Sequence, residues 1–99
     1  MRVVITEAAK ADLAEIAHFI AQDNPVRAET FVDELLDRCR DLAVMPNACA
    51  VVPRYKRWGI RRCVHGNYLI FHRVFEDRIE VIHVLHGARD YESLLFAED

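Results

Sequence analysis

The spacing of apolar residues changes period twice along this chain. Arg2 to Thr6 is short and β-branched, which predicts a strand. From Glu7 to Gln22 the apolar positions Leu13, Ile16, Ala17 and Ile20 recur at helical spacing, with Phe19 beside the stripe. Thr6 is placed to cap that helix. Asp23-Asn24-Pro25 is a stop followed by a start, because asparagine suits an N-cap and proline the first helical position. A second stripe, Ala28, Phe31, Val32, Leu35, Cys39 and Leu42, predicts a helix from Pro25 to about Val44, ahead of Pro46. Asp33, Asp37 and Asp41 line its other face, as a solvated face does. So short a link makes the two helices an antiparallel hairpin.

Pro46 to Lys56 is predicted to be a loop, since Pro46 and Pro53 interrupt regular structure. The period then falls to two. Strands are expected over Arg57–Val64, Tyr68–Phe75 and Arg78–Leu85, joined by His65-Gly66-Asn67 and Glu76-Asp77. Links this short force antiparallel pairing. The middle strand, YLIFHRVF, is apolar on both faces, as a central strand with a cover is. The helix hairpin is the obvious cover. A short helix is expected over Ala88–Leu95. The fold class is therefore α+β: β-α-α-β-β-β, a helix hairpin on a mostly antiparallel sheet, with a short C-terminal helix.

Ninety-nine residues make one domain, 1–99, and 53% apolar content argues against disorder. No apolar run approaches the roughly 20 residues that span a bilayer, and MRVVITEAAK lacks a signal-peptide layout. Cys39, Cys49 and Cys63 form no CxxC, so reduced thiols in a cytoplasmic protein are the expectation.

Charge changes the picture most. Between Asp41 and Glu76 there is no acidic residue, yet Arg54, Lys56, Arg57, Arg61, Arg62 and Arg73 lie there. The whole chain carries −3. Such segregation concentrates potential on one region and points to an anionic partner. Tyr55 and Trp58 interleave with the cations, a mixture that suits nucleic acid and protein hot spots alike. Strand alternation sends Arg61 and Arg62 to opposite faces, one to the packed side and one to a partner, without saying which.

Catalytic chemistry is less legible. No Cys/His spacing matches a zinc pattern, and the HxxH of His83 and His86 places the two rings on opposite faces of a continuous strand. No metal, cofactor or catalytic residue is assigned. There is no nucleophile elbow and no phosphate loop among three glycines. A metal-free ribonuclease has raw materials in His65, His72, Tyr55, Tyr68, Tyr91 and the arginines, but no spacing selects a pair.

The element order and five strings together resemble one family. They are ADLAEIAHF from Ala11 to Phe19, NPVRAETF from Asn24 to Phe31, GIRR from Gly59 to Arg62, YLIFHRV from Tyr68 to Val74 and IHVLHGARDYESLL from Ile82 to Leu95. The chain resembles the ParE-type toxins of bacterial type II toxin–antitoxin modules, within the RelE/ParE superfamily. The resemblance implies a growth inhibitor acting on DNA gyrase. It also implies a ParD-like antitoxin whose disordered C-terminal part folds on the toxin and whose DNA-binding domain holds operator DNA. On this footing Arg54, Lys56, Arg57, Trp58, Arg61, Arg62 and Arg89 are the expected target-binding residues. Phe19, Phe31, Leu35 and Tyr55 are the expected antitoxin contacts. The alternative is the RelE branch, which cleaves mRNA on the ribosome. Arg89 and one of Arg61 and Arg62 fall near that branch's functional positions, but Leu95 stands where it places a late tyrosine and Tyr91 lies one turn earlier.

Overall fold

The computed structural model describes residues 1–88 and Leu95. The helix expected over 88–95 falls, apart from its two ends, outside the described residues, as do Arg89, Asp90 and Tyr91. The elements are β1 (Arg2–Ile5), α1 (Glu7–Ala21), α2 (Pro25–Asp41), a 3-10 helix (Pro53–Trp58), β2 (Ile60–His65), β3 (Tyr68–Val74) and β4 (Arg78–His86). This is the expected α+β order.

Local chemistry accounts for the helix hairpin. The Thr6 hydroxyl accepts from the Ala9 N–H at 3.2 Å and donates to the Val81 carbonyl at 2.8 Å, so one side chain caps α1 and ties it to β4. Asn24 Oδ1 accepts from the Arg27 N–H at 3.0 Å, with Pro25 at the first turn of α2. α2 stops at Asp41 rather than Val44. The next three residues tighten to i→i+3 bonds, Leu42 to Cys39, Ala43 to Arg40 and Val44 to Asp41. That is why the helical stripe read past the true end.

The sheet order is β1-β4-β3-β2. β4 pairs parallel with β1 and antiparallel with β3, and β3 pairs antiparallel with β2. The sheet is thus mixed, with β3 and β4 central. Two apolar clusters lie on its two faces. Under the helices sit Leu13, Ile16, Leu35, Cys39, Leu42, Cys63, Ile70, Val81 and Val84. Val52, Tyr55, Ile60, Phe71 and Leu85 form the second, with Trp58 and Leu95 packed against it. β3 is apolar on both faces because it serves both clusters.

A register shift beside Phe71 and His72 pairs them with His83 and Val81, leaving Ile82 as an extra residue in β4. The shift lies before His83, so His83 to His86 still pair one to one with Phe71 to Tyr68. The bulge turns the Val84 N–H toward α1, where Asp12 Oδ2 accepts it at 2.9 Å. The same oxygen faces His83 Nδ1 at 2.7 Å, the ring nitrogen donating. Asp12 therefore fastens the helix hairpin to the irregular point of the sheet.

Two expectations are corrected between the helices and β2. The strand begins at Ile60, not Arg57. Pro53 starts a 3-10 helix, and Gly59 ends it in the left-handed conformation, φ 68°. Only glycine adopts that angle without strain. The expected reduced thiols are also overturned for one pair, since Cys49 and Cys63 are joined as a disulfide. The chain after α2 doubles back on β2, with Val52 N–H donating to Ile60 O and Arg62 N–H to Ala50 O. This pairing brings the Cys49 and Cys63 Cα atoms to 5.3 Å, within bridging range. Cys39 is free and buried. Among the described residues no helix is long and apolar enough to cross a membrane.

Candidate functional site: a basic face and an apolar recess

The structure places the expected target-binding residues other than Arg89, which lies outside the described residues, on and beside the 3-10 helix. Arg54, Lys56 and Arg57 are exposed along it. Arg57 stacks its guanidinium over the Trp58 ring, 4.1 Å from the centroid. Trp58 itself leans on Tyr55, centroids 6.1 Å apart. Tyr55 is only 6% exposed and belongs to the core. It anchors the segment and presents no contact surface.

The two neighbouring arginines separate as alternation requires, and the structure says which is which. Arg61 faces the helix side. It is half-buried, and its Nη1 donates to the Cys49 carbonyl at 2.7 Å. Arg62 is exposed on the opposite face, beside Ile60 and Phe71 in the β2–β3 register. Arg73 pairs with Ile60 and so lies on that same face. Its guanidinium sits 4.8 Å from the Phe75 ring centroid. Trp58, Ile60, Arg73, Phe75, Ile82 and Glu80 line a recess of about 280 Å³ there. Arg73 and Phe75 were missed as site residues. The alternation Phe71-Arg73-Phe75 was readable, but not that the 3-10 helix would fold onto this face and join it to Arg57 and Trp58.

A second recess, about 380 Å³, lies on the helix side at the end of the sheet. Its apolar lining is Ile16, Phe19, Tyr68 and Val84, with Asp12, Glu15 and His86 around it. Phe19 stands 68% exposed at its edge instead of joining the α1 core stripe. Phe31, half-buried on α2, packs against Tyr68 and His65 with centroids 5.4 and 5.7 Å away. Leu35 is fully buried between helices and sheet. Of the expected antitoxin contacts, Leu35 and Tyr55 are thus buried in the toxin alone; for Leu35, a helical stripe marks the buried face as readily as an accessible one. Phe19 and Phe31 remain at the surface.

Among the described residues the histidine and tyrosine ribonuclease candidates do not converge; Tyr91 lies outside them. His72 is fully buried under the helices. His65 faces Glu34 of α2 at 3.7 Å. Tyr55 is core and Tyr68 lines the helix-side recess. Among the described residues no cluster of His, Cys, Asp and Glu could hold a metal ion.

His72 carries a consequence for pH. Neither ring nitrogen has a hydrogen-bond partner. Burial pushes the imidazole below its ordinary value, and the Arg61 and Arg38 guanidiniums push the same way, while the nearby Ile70 and Pro46 carbonyls oppose them. The folded state therefore holds His72 neutral, and the unfolded chain binds the proton first as pH falls. Stability is lost as pH drops below the unfolded value near 6.5. His72→Leu should flatten the melting-temperature profile between pH 7 and pH 5. It should also raise stability at pH 7 by about 1 kcal/mol, by removing buried unpaired nitrogens. Parallel profiles of the two proteins by circular dichroism would refute this role.

Comparison with known proteins completes the picture. A family model described as the ParE toxin of the type II toxin–antitoxin system, parDE, matches residues 3–91. No curated protein matches the chain. A solved structure described as the chromosomal ParDE TA system from P. aeruginosa has a similar fold. Its TM-score is 0.72 at 22% identity, over 87% of this chain and 95% of that one.

Proposed function

This chain belongs to the ParE toxin family of type II toxin–antitoxin systems, and from that membership we propose that it inhibits DNA gyrase by binding and is neutralised by a ParD-like antitoxin. The family match carries the proposal. The basic, aromatic face of Arg57, Trp58, Arg62 and Arg73 supports it as the surface for gyrase or gyrase-bound DNA. The fused charge and aromatic character of that face suits a target with phosphates and acidic side chains. Arg54 and Lys56 extend it along the 3-10 helix. Binding without bond cleavage is favoured by the dispersal of the base candidates, since His65, His72, Tyr55 and Tyr68 all lie away from this face or inside the core.

The antitoxin docks at the helix-side recess, where Phe19 offers apolar surface and Phe31 packs against the lining residue Tyr68. A disordered segment that folds there covers that surface and wraps a small toxin widely. Operator DNA is reached only through the antitoxin.

The test pairs two assays on the purified toxin. Gyrase supercoiling should fall with added toxin, and added antitoxin should restore it. Ribosome-dependent mRNA should stay intact. Transcript cleavage with gyrase untouched would overturn the proposal and move the protein to the RelE type of activity.

A further inference from the structure

The Cys49–Cys63 bond encloses Arg54, Lys56, Arg57, Arg61 and Arg62, five of the six cations in the acid-free window. The basic segment is thus a covalently closed loop. Val51 bridges to Arg61, Val52 N–H donates to Ile60 O at 2.9 Å, and Arg62 N–H donates to Ala50 O at 3.1 Å. These contacts form a very short ladder, and the disulfide is its next rung. Arg61 braces the same corner by donating to the Cys49 carbonyl.

We propose that Cys49 and Cys63 form a redox latch on the basic face. Oxidised, the pair clamps residues 49–63 against the sheet; reduced, it releases them. The two sulfurs are differently placed for exchange. Cys63 is 2% exposed, whereas Cys49 is only partly buried and is the more accessible residue of the pair. Arg38 Nη2 lies 3.6 Å from Cys49 Sγ. A guanidinium so close stabilises a thiolate, the reactive form. Cys39 is a spectator, because burial pushes its thiol up to about 11.

The partner is a low-molecular-weight disulfide such as oxidised glutathione. The Cys49 thiolate attacks one of its sulfurs, forming a mixed disulfide and expelling the first thiolate. The Cys63 thiolate then attacks Cys49 Sγ and expels the second. Two electrons pass from the protein pair to the small-molecule disulfide. The two protein protons end on the two released thiols. Reduction by the corresponding thiol runs the same steps backwards.

Release on reduction loosens Arg57 and Arg62 and should weaken growth inhibition, a consequence that rests on the basic face being the target surface. The latch itself is tested without a target. The full-length protein is equilibrated in glutathione buffers from fully reduced to fully oxidised. The thiols are trapped by alkylation, and the Cys49 and Cys63 states are read by mass. Parallel samples are digested briefly with trypsin, which cuts after the same cations. Cutting at Arg54 to Arg62 is compared with cutting at Lys10 and Arg27. Reduction should raise the ratio roughly tenfold, because cleavage follows the population of the opened segment. Cys49→Ser/Cys63→Ser should match the reduced wild type; if that variant does not fold, reduced wild type alone decides. Two results would overturn the latch: a ratio unchanged within about twofold between redox states, or a pair that no glutathione mixture oxidises and reduces. If the latch holds but growth inhibition is the same in both states, the target-surface assignment fails and the latch stands.

Discussion

Asp12→Ala is expected to lower the unfolding free energy by about 3 kcal/mol. Asp12 Oδ2 accepts from the Val84 N–H and from His83 Nδ1, and both partners lie at the bulge where β4 departs from β3. The side chains of His83 and Asp12 are 17% and 12% exposed, so water replaces the lost bonds poorly. Alanine leaves the Val84 N–H unpaired. Asp12→Asn keeps an acceptor and should lose about half as much. Domains of this size have a total stability of about 5–15 kcal/mol, so the alanine variant should melt more than 10 °C lower. Chemical denaturation of both variants checks it. A change below about 0.5 kcal/mol for alanine, the range of ordinary surface substitutions, would show that the bulge needs no support from α1.

Charge reversal at Arg62 and at Arg61 should give opposite phenotypes. Arg62→Glu is expected to weaken growth inhibition at least about tenfold, because like charges facing across an interface cost several kcal/mol. Its melting temperature should move little, since the side chain is exposed. Arg61→Glu should instead lower stability by about 1–2 kcal/mol. It loses the bond to the Cys49 carbonyl and leaves a carboxylate among carbonyls on the helix side. Arg57→Glu should follow Arg62, with the added loss of its stacking on Trp58. The measurements are induced growth curves without antitoxin and thermal melts of the purified variants. Raising salt should mimic the Arg62 defect in binding assays, as exposed charges are screened within about 10 Å at 0.1 M. Equal and mild effects at both arginines, on toxicity and stability alike, would reduce the basic face to a solvated strand edge.

Local periodicity settled most of the fold. The stripes at Leu13-Ile16 and Ala28-Leu35-Cys39, the caps at Thr6 and Asn24, and the two tight turns each act over a few residues, so they can be read in order along the chain. The split of Arg61 and Arg62 to opposite faces follows from the same period of two. Other features depend on segments distant in sequence meeting in space. The parallel pairing of β1 with β4 joins Arg2 to Arg78. The return of residues 50–52 along β2 forms the Cys49–Cys63 bond, and the bulge at Ile82 directs Val84 to Asp12. Burial is decided the same way. Phe31 and Leu35 share one stripe on α2, but packing against the sheet leaves the first half-buried and seals the second. The acid-free window announced a cationic region from composition alone; its orientation, with Arg62 and Arg73 outward on one face and Arg61 turned inward, came from the sheet register that no local pattern encodes.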